Sequence, residues 1–293
     1  MTLTNGWMQS NNEHQLKLKV KDVQSFEPLF HSIEIGEGFK MITYDTLVYN
    51  DLYLDTEDFQ LYKSGFSLRF RRKELNDNSV YSFQLKSEAN LFGVERIEVD
   101  QFDLDIYEIE IEQQWVKLVH GLDAIFDESS ENVNDFLKGI AQWCSNKYEA
   151  PLAPFQKLRE LEERGVIDKV FKLKPVLKGI SFRMRSHVVN NRYNGCKLDK
   201  RSDQLKQPKY FKEHKDVCWL METSFDRSIF EVLHENNHME FEINEFEIEN
   251  KASFPVEDRV YLYNFSTLIA SRYGLVKEHY SKYKQVISAT QSN

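Results

Sequence analysis

The stretch Glu245-Phe246-Glu247-Ile248-Glu249-Asn250-Lys251 decides how the fold of this chain is interpreted. In an extended strand, successive side chains point to opposite faces. The three glutamates therefore share one face, and Phe246 and Ile248 share the other. Because three like charges on one buried face repel each other, such a face requires cations opposite it, either basic side chains or metal ions.

Basic side chains follow the same alternation in four other segments, with apolar residues between them. One of these segments, Glu13-His14-Gln15-Leu16-Lys17-Leu18-Lys19-Val20, lies near the start of the chain. The charged or polar positions of the four segments are Lys17 and Lys19, Arg69 and Arg71, Gln84 and Lys86, and Arg183 and Arg185.

Two interpretations fit this alternation. In the first, an ordinary antiparallel sheet turns its apolar face to a core and its charged face to water. In the second, the sheet closes into a barrel with a charged lumen, and helices cover its apolar outer wall. A lumen that carries Arg and Lys on some strands and Glu on others would suit a polyanion accompanied by a divalent metal ion.

Composition excludes several functional classes. The chain has 293 residues, 41% of them hydrophobic, and a formal net charge of −9. A negative net charge argues against duplex nucleic acid as a partner, because affinity for a duplex depends on basic surface. No apolar run approaches the roughly 18 residues of a membrane span, so no membrane partner is expected.

The spacing of the cysteines indicates the cellular compartment, and the absence of known short motifs argues against several classes of catalytic site. Cys144, Cys196 and Cys218 lie far apart without metal-ligand spacing, which suits a reducing compartment, and a cytoplasmic location is expected. The sequence contains no HExxH spacing, no glycine-rich phosphate loop and no GxSxG elbow. Residues 1–12 are polar, and we expect them to be disordered.

The order of predicted elements is strands, helices, strands, helix, which indicates an α+β fold with mostly antiparallel pairing. Apolar spacing predicts a helix over 22–35 and another over 257–273, with Gly274 just past its end. A helical connection is expected over about 103–170, within a single domain covering 13–290. Strands are predicted near 13–20, 41–56, 66–74, 79–87, 93–100, 179–190, 196–199, 217–225 and 239–250.

Eight short motifs, in order along the chain, resemble the CYTH or triphosphate tunnel metalloenzyme superfamily. The first, Glu13-His14-Gln15-Leu16-Lys17, is similar to the ExExK signature that the family carries on its first strand. Each motif is weak by itself, and the eight together span nearly the whole chain. The others are Tyr53-Leu54-Asp55-Thr56 with Leu61, Gly65 and Ser67-Leu68-Arg69-Phe70-Arg71; Lys86; Arg96-Ile97-Glu98; Leu173-Lys174-Pro175-Val176 before Arg183; Glu222-Thr223-Ser224-Phe225-Asp226; Glu245 to Lys251; and Ser281-Lys282.

This resemblance implies an eight-stranded antiparallel β-barrel that forms a triphosphate tunnel, with helices packed outside. It also implies Mg²⁺- or Mn²⁺-dependent hydrolysis of a triphosphate-containing small molecule, and the layout is most similar to bacterial inorganic triphosphatases that act on tripolyphosphate. Thiamine triphosphatase, class IV adenylate cyclase and RNA triphosphatase activities stay open, as does a tunnel that binds polyphosphate or a nucleotide with little turnover. A monomer or a homodimer is expected.

The resemblance and the charges together assign roles to side chains. Oxygen ligands suit hard divalent cations, and cations neutralise charge in phosphoryl transfer. The predicted metal ligands are Glu13, Gln15, Glu247 and Glu249. The predicted substrate-binding residues are Lys17, Arg69, Arg71, Lys86, Arg96, Arg183, Arg185 and Lys282. The predicted catalytic residues are Lys17 and, near an activated water, Glu98, Glu222 and Asp226.

Two positions depart from the family pattern. Gln15 stands where the family has its second acidic residue, and its amide oxygen can bind a metal ion only without charge. After Ser281-Lys282 the chain continues with Tyr283-Lys284-Gln285 and lacks the usual arginine, for which Lys284 is an imperfect substitute. Weaker metal binding is therefore expected.

Overall fold

The computed structural model describes residues 11–32, 34–75, 78–88, 95–104, 133–135, 137–139, 153–190, 220–233, 239–250 and 255–291. Within these ranges the chain forms β1 (Asn11–Lys19), β2 (Glu34–Gly36), β3 (Phe39–Asp55), β4 (Phe66–Leu75), β5 (Asn78–Ser87), β6 (Glu95–Leu104), β7 (Lys174–Asn190), β8 (Met221–Val232), β9 (Glu240–Asn250) and β10 (Val276–Glu278). The helices are α1 (Val23–Phe26), α2 (Gln60–Lys63), α3 (Ala153–Glu163), α4 (Pro255–Tyr273) and α5 (Lys282–Gln291), with 3₁₀ turns at Glu27–His31 and Val170–Lys172.

All strand pairs of this sheet are antiparallel, and the long strands follow the order β1-β6-β5-β4-β3-β7-β8-β9. At the end of this order, β9 pairs with β1, where Lys17 is opposite Glu247. The first half of β1 pairs with β6 and its second half with β9 and β10. An antiparallel sheet with helices, and hence the expected α+β class, is confirmed.

The number of strands differs from the eight that the family resemblance implied. The described part of the chain has ten, because two three-residue strands lie outside the main order. The short strand β2 pairs with the start of β3, and β10 pairs with the end of β1. Such short strands carry too few residues to show a two-residue alternation in the sequence.

The helix predicted over 22–35 is shorter than expected. Asp22 caps α1 by accepting a hydrogen bond of 3.2 Å from the backbone N–H of Ser25, as an N-cap residue does. The α-helix ends at Phe26 because Pro28 has no N–H to continue the ladder. The chain continues as the 3₁₀ turn and then as β2, so the prediction of helix beyond residue 31 is wrong.

The second set of strands is longer than predicted. β7 begins at Lys174 rather than near 179, and Pro175 is accommodated where the pairing with β3 shifts its register between Tyr53 and Leu54. β8 covers 221–232 rather than 217–225. Of the helical connection over 103–170, residues 133–135, 137–139 and α3 are helical, whereas β6 extends to Leu104. The strand predicted at 196–199 lies outside the described residues.

Among the described residues, apolar clusters lie on both faces of the sheet. On one face, α1 and α4 cover β1, β8 and β9; Phe26, for example, packs edge-on against Phe225 and Phe246 at 5.1 and 5.2 Å between ring centroids. On the other face, α5 packs Tyr283 and Ile287 against side chains of β3, β7, β8 and β9. Apolar burial at both positions stabilises the sheet on both faces.

Among the described residues, no helix combines the length and the apolar character that crossing a membrane requires.

Candidate active site

The face of the sheet that carries α5 also carries a set of charged side chains from seven elements, which we call the charged cluster. Its members alternate in sequence with residues of the opposite, apolar face, as the strand period requires. They are Lys17 of β1, Asp51 of β3, Arg69 and Arg71 of β4, Arg183 of β7, Asp226 of β8, Glu245 and Glu247 of β9, and Lys282 of α5.

Arg183 connects β7, β8 and β9. Its Nε donates to Oδ1 of Asp226 at 2.6 Å, and its Nη2 donates to Oδ2 at 2.5 Å and to Oε2 of Glu247 at 3.0 Å. Asp226 also accepts a hydrogen bond from Lys282 Nζ. One buried carboxylate therefore holds two cations from different elements, and it fixes the position of both.

Lys17 lies between two glutamates of β9. Its Nζ is 3.1 Å from Oε1 of Glu247 and 3.7 Å from Oε2 of Glu245. The carboxylate of Glu245 also lies 3.9 Å from Nζ of Lys282 and accepts a hydrogen bond of 2.5 Å from Gln285. Glu245 thus connects the start of α5 to the first strand.

Asp51 organises the arginines of β4. Its two carboxylate oxygens accept hydrogen bonds of 2.6 and 2.7 Å from Arg71, and Arg69 Nη1 lies 3.4 Å away. Arg69 Nε also donates to Gln84 at 3.1 Å. The ring of Tyr49 lies under the guanidinium of Arg71 at 4.0 Å and near that of Arg183 at 5.5 Å. Tyr49 therefore joins the two halves of the cluster through cation–π contacts.

Ion pairing keeps two carboxylates of the cluster, those of Asp51 and Asp226, ionised. Burial alone would raise the pKa of Asp51, but the guanidinium groups of Arg71 and Arg69 outweigh burial and lower its pKa to about 2. Burial opposes ionisation of Asp226 in the same way, and Arg183 and Lys282 nevertheless lower its pKa. Burial disfavours the charged form of Arg183, but Asp226 and Glu247 raise its pKa well above the ordinary value. These groups stay charged across the neutral range.

A second group of side chains lies further along β7 and β3. Arg185 donates to Asp45 and lies over the ring of Tyr44 at 5.1 Å. Tyr44 stacks on the buried His187 at 4.0 Å between ring centroids. Burial, and after it the negative charge of Glu222, raises the pKa of Tyr44. Arg185, a predicted substrate-binding residue, is therefore paired with Asp45.

The predicted metal ligands lie on β1 and β9. Gln15 is opposite Glu249, which is in turn opposite Glu222 on β8. The side chain of Gln15 is buried, and its Nε2 has no hydrogen-bond partner. Glu247 contacts Lys17 and Arg183. Among the described residues, no group of three or more His, Cys, Asp or Glu side chains has the spacing of a metal site.

Other predicted site residues are placed by strand register alone. Glu13 is opposite Arg96, and Glu98 is opposite both Asn11 and Lys86. Their backbone positions lie on neighbouring strands β1, β6 and β5. The side chains of Glu13, Arg96 and Glu98 lie outside the part of the structure that is described. Their predicted roles in binding metal and phosphate stay predictions.

The C-terminal helix is anchored by a buried carboxylate. Asp55 accepts hydrogen bonds from the hydroxyl of Tyr283 at 2.7 Å and from the backbone N–H groups of Thr56, Leu61 and Tyr62 at 2.7, 2.9 and 2.9 Å. Burial, and after it the negative charge of Asp55, raises the pKa of Tyr283 well above its usual range. The phenol therefore stays protonated and donates. Because Tyr283 follows Lys282 directly, this bond also holds Lys282 at the cluster.

Sequence analysis missed three contributors to these contacts. Asp51, Tyr49 and Asp45 lie on β3, and none belongs to a motif that carries the resemblance. A signal was present for two of them. Tyr49 and Asp51 share one strand face with Tyr53, two residues apart, and an acidic residue on a face that also carries aromatic rings indicates a paired, inward position.

The fold and the cluster define a class of protein: an α+β protein whose antiparallel sheet carries ion-paired cations and carboxylates on one face. Among solved structures, the chain is similar to HpAC1 from Hippeastrum, a provisionally named adenylyl cyclase whose description states a dominant triphosphatase activity. The two share 15% sequence identity over 94% of this chain and 96% of the other, with a TM-score of 0.50. This similarity is one of fold, an antiparallel sheet with helices, as the predicted resemblance to the CYTH or triphosphate tunnel superfamily implied.

Two further structures cover the chain almost completely. A Bacillus halodurans protein provisionally named adenylate cyclase has 16% identity, a TM-score of 0.47, and coverage of 95% of this chain and 98% of its own. A Pyrococcus horikoshii protein, PH1819, has 14% identity, a TM-score of 0.43, and coverage of 94% and 99%. Neither a protein-family model nor a curated protein matches the sequence.

Proposed function

We propose that the protein binds a triphosphate-containing small molecule at the charged cluster and hydrolyses one of its phosphoanhydride bonds with Mg²⁺ or Mn²⁺. Inorganic tripolyphosphate is the proposed substrate, because the charges of the cluster recognise phosphate and the described cluster contains no group specific for a base or a sugar. The similarity in fold to a protein with triphosphatase activity supports this choice.

The proposal includes a closed barrel whose lumen is the cluster. The pairing of β1 with both β6 and β9 supports closure, because each long strand then has a neighbour on either side. In a closed barrel of about eight strands, the interior has room for side chains and one small ligand. The burial of Lys17 and Lys282 also supports an enclosed site.

One observation carries the proposal: the guanidinium groups of Arg183 and Arg69 are more accessible than the aspartates that hold them. Arg183 and Arg69 expose 19% and 13% of their side chains, whereas Asp226 and Asp51 expose 0%. An anion that enters the site therefore meets guanidinium groups first. Since buried ion pairs contribute little to stability compared with apolar packing, a face built from them favours a binding function.

The residues present fit a hard divalent cation in the chemistry of their donors. Gln15, Glu249 and Glu222 are neighbours across three strands and offer oxygen ligands, which Mg²⁺ and Mn²⁺ prefer. We propose that Gln15, Glu247 and Glu249, with Glu13, hold the metal ion. A bound ion would neutralise charge on the phosphate chain and lower the pKa of a bound water.

The side chains of the cluster supply binding and charge stabilisation. Arg183, Arg69 and Arg71 present planar donors that suit phosphate oxygens. Lys17, Lys86 and Lys282 add point charges, and we assign Arg96, from its motif, and Arg185, from its strand face, to phosphate binding as well. In phosphoryl transfer, such positioning and electrostatic stabilisation supply most of the catalytic effect.

The three acidic side chains predicted to lie near an activated water differ in how well they suit that role. Asp226 accepts from Arg183 and Lys282 and has a lowered pKa, which makes it a weak proton acceptor and favours a positioning role for it. Glu222 lies beside Tyr44 at the edge of the cluster and is better placed to orient a water. Glu98 is assigned the same role by its place in the RxE motif.

One alternative function has its own support. Gln15 is uncharged, and Glu247 already contacts two cations. Both features reduce the negative charge left for a metal ion, which favours a tunnel that binds polyphosphate or a nucleotide with little turnover. Thiamine triphosphatase and adenylate cyclase activities share the same recognition of a triphosphate.

Phosphate release tests the proposal. Tripolyphosphate, thiamine triphosphate and ATP are incubated with the protein and Mg²⁺ or Mn²⁺, and the nucleotide products are separated to detect cyclic AMP. We expect phosphate from tripolyphosphate, and at least about 100-fold less from Glu247→Gln. Glu242→Gln, a change of the same kind at an exposed position of β9, is the control and should stay active.

Two results would redirect the interpretation. Thermal stabilisation by tripolyphosphate without phosphate release would support the binding protein instead of the enzyme. Neither stabilisation nor release, with a folded protein, would contradict both.

A further inference from the structure

An apolar patch lies on the outer face of β7 and β8, opposite the charged cluster. Ile180 and Ile229 are directly paired across the two strands, and Phe182 follows on β7. Their side chains are 52%, 56% and 53% exposed. A groove of about 450 Å³ lies along them. Exposed apolar groups that cluster in this way mark interaction surfaces.

The same face of the sheet is covered elsewhere. Further along β8, Phe225 is fully buried under α1, and Phe246 on β9 packs against Phe26 and Phe265. Moving from Phe225 to Ile229, the face passes from a helix-covered core to an exposed patch within four residues. Among the described residues, no helix packs onto Ile229, so the outer face is apolar over a longer distance than its helices cover.

Charged side chains surround the patch in a definite arrangement. Strand register places Glu231 two residues to one side of the Ile180–Ile229 pair and Arg227 two residues to the other side, both on the same face of the sheet. Lys178 shares a row with Glu231, and Phe182 shares a row with Arg227. The arginine and the glutamate are thus equally distant from the central isoleucine pair, with opposite charges.

We propose that this patch binds a second copy of the chain, related by a two-fold axis that runs across the strands through Ile180 and Ile229. Such an axis places Ile180 and Ile229 of one chain opposite the same residues of the second chain. It also places the row that contains Arg227 opposite the partner's row that contains Glu231. Arg227 of each copy then faces Glu231 of the other, twice per dimer. A surface that is complementary to itself under a two-fold rotation is what an isologous interface requires.

The charges favour a second copy over other occupants. The groove carries Lys178 and Arg227 together with Glu231, Glu240 and Glu242. An anionic lipid surface would be repelled by the glutamates, and a strongly basic or acidic peptide would match only half of the groove. Arg227 lies 3.9 Å from Glu27 of its own chain, both about half exposed, and such an exposed pair contributes little. Arg227 can therefore turn to a partner.

Charge exchange at the two positions tests the dimer. The wild type, Arg227→Glu, Glu231→Arg and the double variant are compared by sedimentation velocity over a range of protein concentrations. We expect a dimer in the wild type, dissociation constants at least about tenfold higher in each single variant, and recovery in the double variant. Val260→Asp, at another exposed apolar position on α4, should leave the dimer unchanged.

The outcomes are decisive in either direction. A wild type that stays monomeric at all concentrations overturns the proposal, and so does a dimer that is insensitive to both single changes. Circular dichroism and melting temperature show whether each variant is folded, and Ile229→Asp provides a second way to disrupt the same patch. Since association is measured without substrate, the result does not depend on the proposed triphosphatase activity.

Discussion

Arg183 and Asp226 lie directly opposite each other on β7 and β8, and the guanidinium donates two hydrogen bonds of 2.6 and 2.5 Å to the carboxylate. Asp226 is fully buried and also holds Lys282. In Asp226→Asn, two partly buried cations lose their common counter-charge. We expect the free energy of unfolding to fall by about 3 kcal/mol, as for other broken buried pairs. Urea unfolding at pH 7 measures it.

Glu242→Gln removes an exposed carboxylate from the neighbouring strand and is the matched control. A surface change of this kind alters stability by no more than about 0.5 kcal/mol. Equal stabilities for the two variants would mean that the contact between Arg183 and Asp226 contributes nothing to the fold.

The lowered pKa of Asp51 predicts that the free energy of unfolding decreases in acid. Its pKa is about 2 in the folded protein because Arg71 and Arg69 outweigh the effect of burial, whereas an unfolded aspartate titrates near 3.9. A lowered pKa stabilises the folded state above the unfolded pKa, and this contribution is lost as pH falls toward the folded pKa. The stability difference between wild type and Asp51→Asn should therefore shrink by about 2 kcal/mol between about pH 4 and pH 2.

Urea titrations at several pH values test this dependence. Asp168→Asn, at an exposed position after α3, is the control, and its difference from wild type should stay nearly constant over the same range. A constant difference for Asp51→Asn would show that its carboxylate is not held ionised by the two arginines.

The sequence predicted most of the charged cluster, including Asp226, but not Asp51. Glu247, Lys17 and Arg183 lie in strands whose alternation is clear, because charged and apolar residues exchange at every position. Asp51 is a single acidic residue between Asn50 and Leu52, and its partners Arg71 and Arg69 come from another strand. Pairing across strands is a tertiary relationship, so the register had to be known before Asp51 could be assigned to Arg71.

The C-terminal helix shows a different limit. Lys282 was assigned from a motif, but α5 itself was not predicted, because its ten residues mix apolar and polar types without a strong helical stripe. Its position is determined by Asp55, more than 200 residues earlier, which binds Tyr283. Local propensity contains no information about such a contact.

Arginine geometry at the site gives a third prediction. Arg183→Lys keeps the charge but loses the planar donors that contact Asp226 and Glu247 and that suit phosphate. We expect kcat/KM for tripolyphosphate to fall about 100-fold. Arg159→Lys on the exposed side of α3 is the control and should retain full activity. Full activity in Arg183→Lys would show that a point charge is sufficient at this position.

The anchor of α5 gives a fourth prediction. Tyr283→Phe removes one of the hydrogen bonds that Asp55 accepts, while the backbone donors remain. We expect a loss of about 1–2 kcal/mol in the free energy of unfolding and a higher KM for tripolyphosphate, because Lys282 is less firmly held. Tyr263→Phe, at an exposed position of α4, is the control. Unchanged stability in Tyr283→Phe would contradict the role of this bond.

Gln15 gives the last prediction, since it replaces an acidic residue of the family pattern. Its side chain is buried opposite Glu249, and its Nε2 has no hydrogen-bond partner. Gln15→Glu adds a charged oxygen ligand where a neutral one stands. We expect Mn²⁺ to bind about tenfold more tightly, a gain of roughly 1.4 kcal/mol. Electron paramagnetic resonance of free Mn²⁺ measures this binding without substrate.

The stability of the metal-free protein provides a second test of the same position. Without a cation, an added carboxylate next to Glu249 increases repulsion on one strand face, so Gln15→Glu should unfold at a lower urea concentration than wild type. Added Mn²⁺ should reverse that loss, because binding to the folded state stabilises it. Gln24→Glu adds the same charge at an exposed position of α1 and should show neither effect. Unchanged Mn²⁺ affinity in Gln15→Glu would mean that position 15 is not a metal ligand.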